Sequence, residues 1–401
     1  MSHPPKPEEV RRAPWRLLVL LVGMSAIGPL SLNILVPAVP GLVATLRSDP
    51  ATVQLTMSLY LFGLAFAQLA LGPLSDRFGR RPVLLCGLGI TAITSIAAVA
   101  ATSIAGLIVA RTAQSFGAST GLVVGRAMIR DLYERDRAAS MIGWVTMGVI
   151  VAPMVAPLIG GLLDTAFGWH SIFVFIAAAS MLVLIWAAVE LPETRATHAM
   201  EPVRLWTEIR ALAASPSFAG YVLAAALGSA PFFVFLGGSP HAVITIMGYS
   251  SAVYGAWFAL NSVGYMAGNF GAARFSQRYG VNAMIWWGTI IGIAGGIISC
   301  LLSWLVPHWG PAIIFVPQLI MSVGNGMLLP NSIAGAVSVR PQAAGTASGV
   351  TGFVQMAIGA GAAQFGSHLL AEAATPLPVS IAMLGFAVAT GLAFGLLVRS
   401  R

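Results

Sequence analysis

Charge is what this sequence has least of. Of its 401 residues only 8% are charged and 57% are hydrophobic, whereas a soluble domain carries about 25% charged residues. A soluble core of this size has no means of hiding so much apolar surface. The chain is therefore read as a polytopic membrane protein, and soluble enzymes and soluble binding modules are excluded. Lysine is nearly absent: Lys6 is the only one, and Pro7 follows it. A Walker A phosphate loop needs Gly-Lys-Ser/Thr, so the chain by itself is not an ATP-driven pump. Cysteine is scarce too. Cys86 and Cys300 both lie inside apolar runs, which implies neither a disulfide framework nor a metal site. The net charge of +8 does not point to nucleic acid, because the basic residues are scattered through short connections and form no patch. Acids are missing from the middle of every apolar run, and no His/Asp/Glu cluster suits an embedded enzyme.

Apolar segments are abundant. Twelve can be counted, starting near Trp15, Thr52, Pro82, Ala105, Ala138 and His170, then near Ser217, Ser251, Asn282, Trp309, Ala344 and Pro376. Each is expected to cross the roughly 30 Å hydrocarbon layer as a helix. They are continuously apolar rather than alternating, which excludes a barrel. The 44 glycines and 24 prolines suit membrane helices. With the N-terminus inside, the inner connections and tails collect nearly every arginine, and the outer loops hold only Arg47. This bias predicts an inner-membrane protein with both termini cytoplasmic and an even number of spans. The one long connection divides the chain into a six-helix bundle over 1–190, a cytoplasmic linker over 191–216 and a second six-helix bundle over 217–401. Within the linker, Leu205, Trp206, Ile209 and Leu212 recur at helical spacing, as in an amphipathic helix lying on the membrane surface.

Between the second and third runs the sequence reads Gly72-Pro-Leu-Ser-Asp76-Arg77-Phe-Gly79-Arg80-Arg81-Pro. Gly72 and Gly79 are expected to relieve crowding where the chain reverses, and the arginines to stay at headgroup level. Asp76 is a lone acid among them, suited to face the partly positive amide end of another helix. The arginines alone could serve only to fix topology. The stretch resembles the signature loop of the major facilitator superfamily of transporters. Asp76-Arg77-Phe78-Gly79 is echoed by Gln277-Arg278-Tyr279-Gly280, and Gly143 by Gly349. The resemblance implies an all-α fold of twelve transmembrane helices in two pseudo-symmetric six-helix bundles, with a substrate cavity between them. It also implies that Asp131 pairs with Arg80 and that Asp76 faces the start of span 11 near Ala344-Gly345-Thr346. These contacts would break when the cavity opens inward.

Further residues stand out along the spans. Arg111 lies about two turns into span 4, where a guanidinium costs about 2.5–3.5 kcal/mol on insertion scales. Gln114 follows at i+3 and is placed to share the site; the other reading is an arginine reaching to the outer surface. Arg111-Thr-Ala-Gln114-Ser-Phe-Gly117 resembles the span-4 motif of proton-coupled members, with Ser115 where a glycine is usual. Span 5 carries Pro153, Pro157, Gly160 and Gly161 and resembles the proline-rich motif of antiporters and exporters. The proline pair is expected to bend the helix. Ser31 to Pro40 and Gln54 to Tyr60 are similar to the Bcr/CflA group of drug exporters, which includes bicyclomycin- and chloramphenicol-type resistance proteins. That group usually has an aspartate where this chain has Asn33; His368 and Asp131 are the remaining proton-site candidates. Asn33, Tyr60, Arg111, Gln114, Phe232, Phe233, Phe235, Trp257, Phe258 and Asn261 are the expected cavity residues. The resemblance implies a monomeric exporter of small amphipathic or aromatic compounds, needing no cofactor and driven by the proton gradient. An importer or exchanger of one metabolite is the alternative on the same fold.

Overall fold

A computed structural model describes residues 14–133, 135–194, 209–212, 214–306, 310–340, 343–371 and 375–398. Among these the chain is helical throughout, with no strand. The first set of helices is α1 (Pro14–Asn33), a short α2 (Val39–Thr45), α3 (Pro50–Phe78), α4 (Arg80–Val99), α5 (Ile104–Ala118), α6 (Thr120–Leu132), α7 (Arg135–Phe167) and α8 (His170–Glu190). The second is α9 (Pro216–Pro240) with a π-helical turn to Ile246, α10 (Ser251–Tyr279), α11 (Val281–Leu305), α12 (Ala312–Val339), α13 (Ala344–Ala371) and α14 (Leu377–Leu397). Counting α5–α6 as one rod broken at Ser119, and α2 as a cap, each set presents six long rods.

The ends follow local chemistry. Asp49 accepts the Thr52 amide at 2.9 Å with Pro50 in the first turn of α3, a favourable N-cap arrangement. Ser103 and Ser250 cap α5 and α10 in the same way. Pro37 and Pro40 cannot extend the α1 ladder, and the chain turns through a 3-10 segment at Val36–Ala38 into α2. The two sets repeat one device. Gly79, between α3 and α4, has φ +100°, and Gly280, between α10 and α11, has φ +84°, a backbone that side chains disfavour.

Among the described residues, eight helical stretches are long and apolar enough to cross a membrane on that ground alone, where twelve were expected. The α5–α6 rod, α7, α10 and α13 complete the bundle. The break at Ser119 leaves α5 and α6 each too short to be counted alone, the described side chains of α7 form a shorter apolar stretch, Val151–Phe167, and α10 and α13 carry polar and small residues of the interior, including Asn261 and Gln355. The protein is a multi-pass membrane protein.

Helices approach closely where glycine allows it. A Cβ on Gly121 of α6 would stand 1.9 Å from the Met24 carbonyl oxygen of α1, and one on Gly268 of α10 would stand 2.1 Å from that of Val323. In the first set α1 packs on α7, and α4 on α5 and α8; in the second, α9 packs on α13 and α14, and α12 on α10 and α11. The broadest contacts between the sets are α3 against α13 and α7 against α10. The linker helix falls mostly outside the described residues. Its Leu212 is fully buried against Phe218, Val222 and Ala336, so this residue anchors on the second set and does not lie on lipid.

Candidate functional site

A cavity of about 380 Å³ lies between the two sets, lined from α1, α3, α5–α6, α7, α9, α10, α12 and α13. Its wall is mostly apolar. Phe232, Phe233 and Phe258 form an aromatic corner, with Phe232 edge-on to both others at 5.6 and 6.1 Å between centroids. Polar groups punctuate it. Ser322 donates to Asn261 Oδ1 at 2.8 Å, and Gln355 donates to Ser229 at 3.0 Å. Asn33, 4% exposed, donates its amide N–H to the Pro29 carbonyl at 2.8 Å and leaves its Oδ1 without a partner. Asn325 Oδ1 is likewise buried and unpartnered. This is the composition of a small-molecule site, apolar with few placed polar atoms.

One end of the molecule carries the arginine-rich connections; at the far end the two sets are knitted together. Ser58 donates to Gln364 at 3.1 Å, Gln364 to the Ala51 carbonyl at 2.8 Å, and Ser367 to the Pro50 carbonyl at 3.3 Å. Ser251 of α10 donates to Asp164 of α7 at 2.7 Å. The span-5 motif makes this closure possible. Cβ atoms on Gly160, Gly161 and Gly255 would stand 1.9, 2.2 and 2.4 Å from the carbonyl oxygens of Ile34, Ser251 and Pro157. Pro153 lines the cavity and Pro157 lies at the α7–α10 contact, in a helix that runs unbroken. Toward the arginine-rich end the lining continues to Arg126, Ile333 and Ser348. There a Cβ on Gly345 would meet nothing within 4 Å. The cavity is thus sealed at the far end and extends toward the arginine-rich one.

Of the residues assigned to a cavity from the sequence, Asn33, Phe232, Phe233, Phe258 and Asn261 line this one. Tyr60, Arg111, Gln114, Phe235 and Trp257 do not, and this corrects the sequence reading. Phe235 is held in an aromatic core with Phe258 and Phe315, and Trp257 stacks on Phe315 at 5.8 Å. Arg111 is fully buried inside the first set, so it does not reach the outer surface. It donates to the Ser31 carbonyl at 3.0 Å and to Gln114 Oε1, and its guanidinium lies over the Tyr60 ring at 4.2 Å. Gln114 passes the chain on to Ser95 at 2.6 Å, and Tyr60 donates to the Gly28 carbonyl at 3.1 Å. Arg111 Nε and Nη2 have no partner. Carbonyl dipoles and a ring face hold this cation; no carboxylate is among its partners. Ser115 fits where a glycine is usual because its neighbour on α3 is Gly63, whose Cβ would stand 1.9 Å from Ser115 Oγ. His368 is exposed, and Asp131 lies at the arginine-rich end; neither lines the cavity.

The signature loop is wired differently from expectation. Arg80 pairs with Asp131 through Nε at 3.1 Å, as expected, but it also pairs with Asp76 four residues before it. Asp76 is therefore engaged within its own loop, and no described contact joins it to the start of α13. The Arg80–Asp131 pair lies within one set, so it has no need to break when that end opens. The amide end of α4 is faced instead by Glu193, just beyond α8, which accepts from the Arg80 and Arg81 amides at 2.9 and 3.2 Å. Sequence reasoning missed Glu193, because 113 positions separate it from Arg80 and no periodicity links them. Arg81 donates to the Ala188 carbonyl at 2.7 Å, and Arg77 lies over the Phe78 ring at 5.4 Å. Gly72 sits inside α3 with nothing within 4 Å of a Cβ, so it relieves no crowding; Gly79 alone is required by the turn.

Comparison with known proteins agrees with this geometry. The profile described as Major Facilitator Superfamily matches residues 21–364. The chain is 33% identical to multidrug resistance protein D of Escherichia coli K12 over 364 residues, 90% of this chain and 89% of that one. It is 28% identical to the bicyclomycin resistance protein homologue of Haemophilus influenzae, over 90% of this chain and 91% of the other. Among solved structures, a bacterial homologue of the human lysosomal transporter Spinster, in an inward-facing, unoccupied conformation, superposes with a TM-score of 0.76. That match has 18% identity and covers 95% of both chains.

Proposed function

The chain belongs to the Major Facilitator Superfamily, and within that family we propose that it is a multidrug exporter. It binds small aromatic or amphipathic compounds in the central cavity and releases them at the far side by rocking one six-helix set on the other. The observation that carries this reading is the cavity: mostly apolar, cornered by phenylalanines, shared by both sets and shut at one end. The names of the relatives, a multidrug and a bicyclomycin resistance protein, support the substrate class. The distribution of arginine supports an inner-membrane position with both termini in the cytoplasm, so the described conformation faces inward. One chain supplies the whole cavity, which supports a monomer acting as a transporter and not as an enzyme. The driving force we assign to the proton gradient, supported by the likeness of the Arg111 motif and the α7 prolines to those of proton-coupled exporters.

A drug-susceptibility panel in a pump-deleted bacterial host tests this. Expression of the full chain is expected to raise tolerance to uncharged aromatic antibiotics, and collapse of the proton gradient to abolish the gain. Unchanged tolerance across the panel, or uptake of a solute by right-side-out cells, would refute export.

A further inference from the structure

Two glutamines, one from each helix set, stand where α3 meets α13 on the cavity side. Gln68 of α3 lays its amide in the notch left by Gly352 of α13, where a Cβ would stand 2.1 Å from Gln68 Oε1. Gln355 follows Gly352 by three residues, one turn along the same face of the helix, and lines the cavity too. Phe66 and Phe353, from the same two helices, meet edge-on at 5.5 Å beside them. We infer that Gln68 and Gln355 determine substrate specificity: together they bind the trans secondary amide of an aromatic solute, Gln355 accepting its N–H and Gln68 donating to its carbonyl. The inference deepens the export reading and rests on it for the direction of transport, but not for binding.

The hydrogen-bond inventory carries the argument. Ser229 spends its only hydroxyl proton on the Ala225 carbonyl at 2.8 Å, so toward Gln355 it can only accept. That fixes which way the Gln355 amide points. Its Nε2 donates to Ser229 at 3.0 Å, and its Oε1 is left without a partner and open to the cavity. Gln355 therefore presents an oriented acceptor. The Gln68 amide has no hydrogen-bond partner among the described residues, and neither of its polar atoms is sealed from the cavity. It is able to offer an N–H or an oxygen. In a mostly apolar wall such groups decide affinity, because a polar atom that loses its water to an entering solute must be matched. A trans secondary amide is planar, and its N–H and carbonyl point in opposite directions. One such group answers one helix set with its N–H and the other with its carbonyl, while Phe232, Phe233 and Phe258 receive the rings that flank it.

Equilibrium binding to the purified full-length protein in nonionic detergent tests this with benzanilide and phenyl benzoate, which differ chiefly by an N–H against an ester oxygen. The native chain is expected to favour benzanilide by at least about tenfold, the equivalent of about 1.4 kcal/mol, and Gln355→Met to remove that preference. Gln68→Leu should weaken benzanilide binding about fivefold or more. Gly352→Ala displaces only the flexible end of Gln68 and should do the same, which keeps the test should Gln68→Leu fail to fold. Gly361→Ala, where a Cβ meets nothing within 4 Å, should change neither affinity. Equal affinity of the native chain for the two compounds overturns the inference. So does a benzanilide preference that no folded variant changes, or a native chain that binds neither compound. Drug accumulation in pump-deleted cells is measured alongside. Amide-selective binding without reduced accumulation would refute the export reading and leave the selectivity standing.

Discussion

Closure of the far end depends on α7 touching α10 backbone to backbone, and Gly161→Ala tests that dependence. An alanine Cβ would stand 2.2 Å from the Ser251 carbonyl oxygen, 2.8 Å from its carbonyl carbon and 3.1 Å from the Ala252 Cα, where ordinary contact begins at 3.4 Å. The obstacle is backbone, so no side-chain rotation relieves it, and the helices must part by about 1 Å. The same movement stretches the 2.7 Å hydrogen bond from Ser251 to Asp164 beyond useful length. Overpacking of this kind costs about 1–3 kcal/mol. A penalty of about 2 kcal/mol on the sealed state alone shifts its population ratio about thirtyfold. Alanine is also the better helix former by about 1 kcal/mol, so overall unfolding is the wrong readout and the open-to-closed partition is the right one. Asn33→Cys, placed in a Cys86→Ser/Cys300→Ser background, reports it. Asn33 is 4% exposed below the seal, and a membrane-impermeant maleimide applied from the far side reaches it only when that side opens. Gly161→Ala should raise the labelling rate by about tenfold or more. Gly361→Ala, where a Cβ meets nothing within 4 Å, should leave the rate unchanged. Equal rates with and without Gly161→Ala would refute the closure argument.

Two other outcomes follow from the packing inside the first set. Arg111→Lys keeps a charge but loses the flat guanidinium that lies over Tyr60 while its Nη1 donates to both Ser31 and Gln114. The two side chains are not equivalent at such a site, so the variant should fold and export at least about tenfold more slowly; full export would leave Arg111 a packing residue. Gly63→Ala places a Cβ 1.9 Å from Ser115 Oγ and should lower stability by about 1–3 kcal/mol. Adding Ser115→Gly should recover most of that loss in thermal unfolding of the detergent-solubilised protein. Strict additivity of the two changes would show that the residues do not oppose each other.

Much of this protein is set by the solvation of its residues one segment at a time. Scarce charge, long apolar runs and arginine gathered in alternate connections dictate a helical membrane bundle, because a helix alone satisfies its own backbone in lipid. The repeat of Arg-Phe-Gly79 and Arg-Tyr-Gly280 marks two matching turns, and both glycines do adopt positive φ. Glycine and proline in α7 mark a contact helix, and the phenylalanines at 232, 233 and 258 do reach the cavity. These features are local, so spacing and composition carry them.

Pairing across the bundle is another matter, and only the tertiary structure decides it. Which face of α5 turns inward determines that Arg111 lies behind Tyr60 and away from the cavity; a position two turns into a span is compatible with either. The choice of Glu193 to cap α4, and of Arg80 to hold both Asp76 and Asp131, depends on distances between chain ends that no periodicity encodes. Asn33 shows both sides. Its identity as an amide follows from the sequence, but the orphaned oxygen in a wall with no acid among the described residues comes from eight helical rods meeting around one space. Charge in low dielectric is governed by neighbours a few ångströms away, and those neighbours come from every part of the chain.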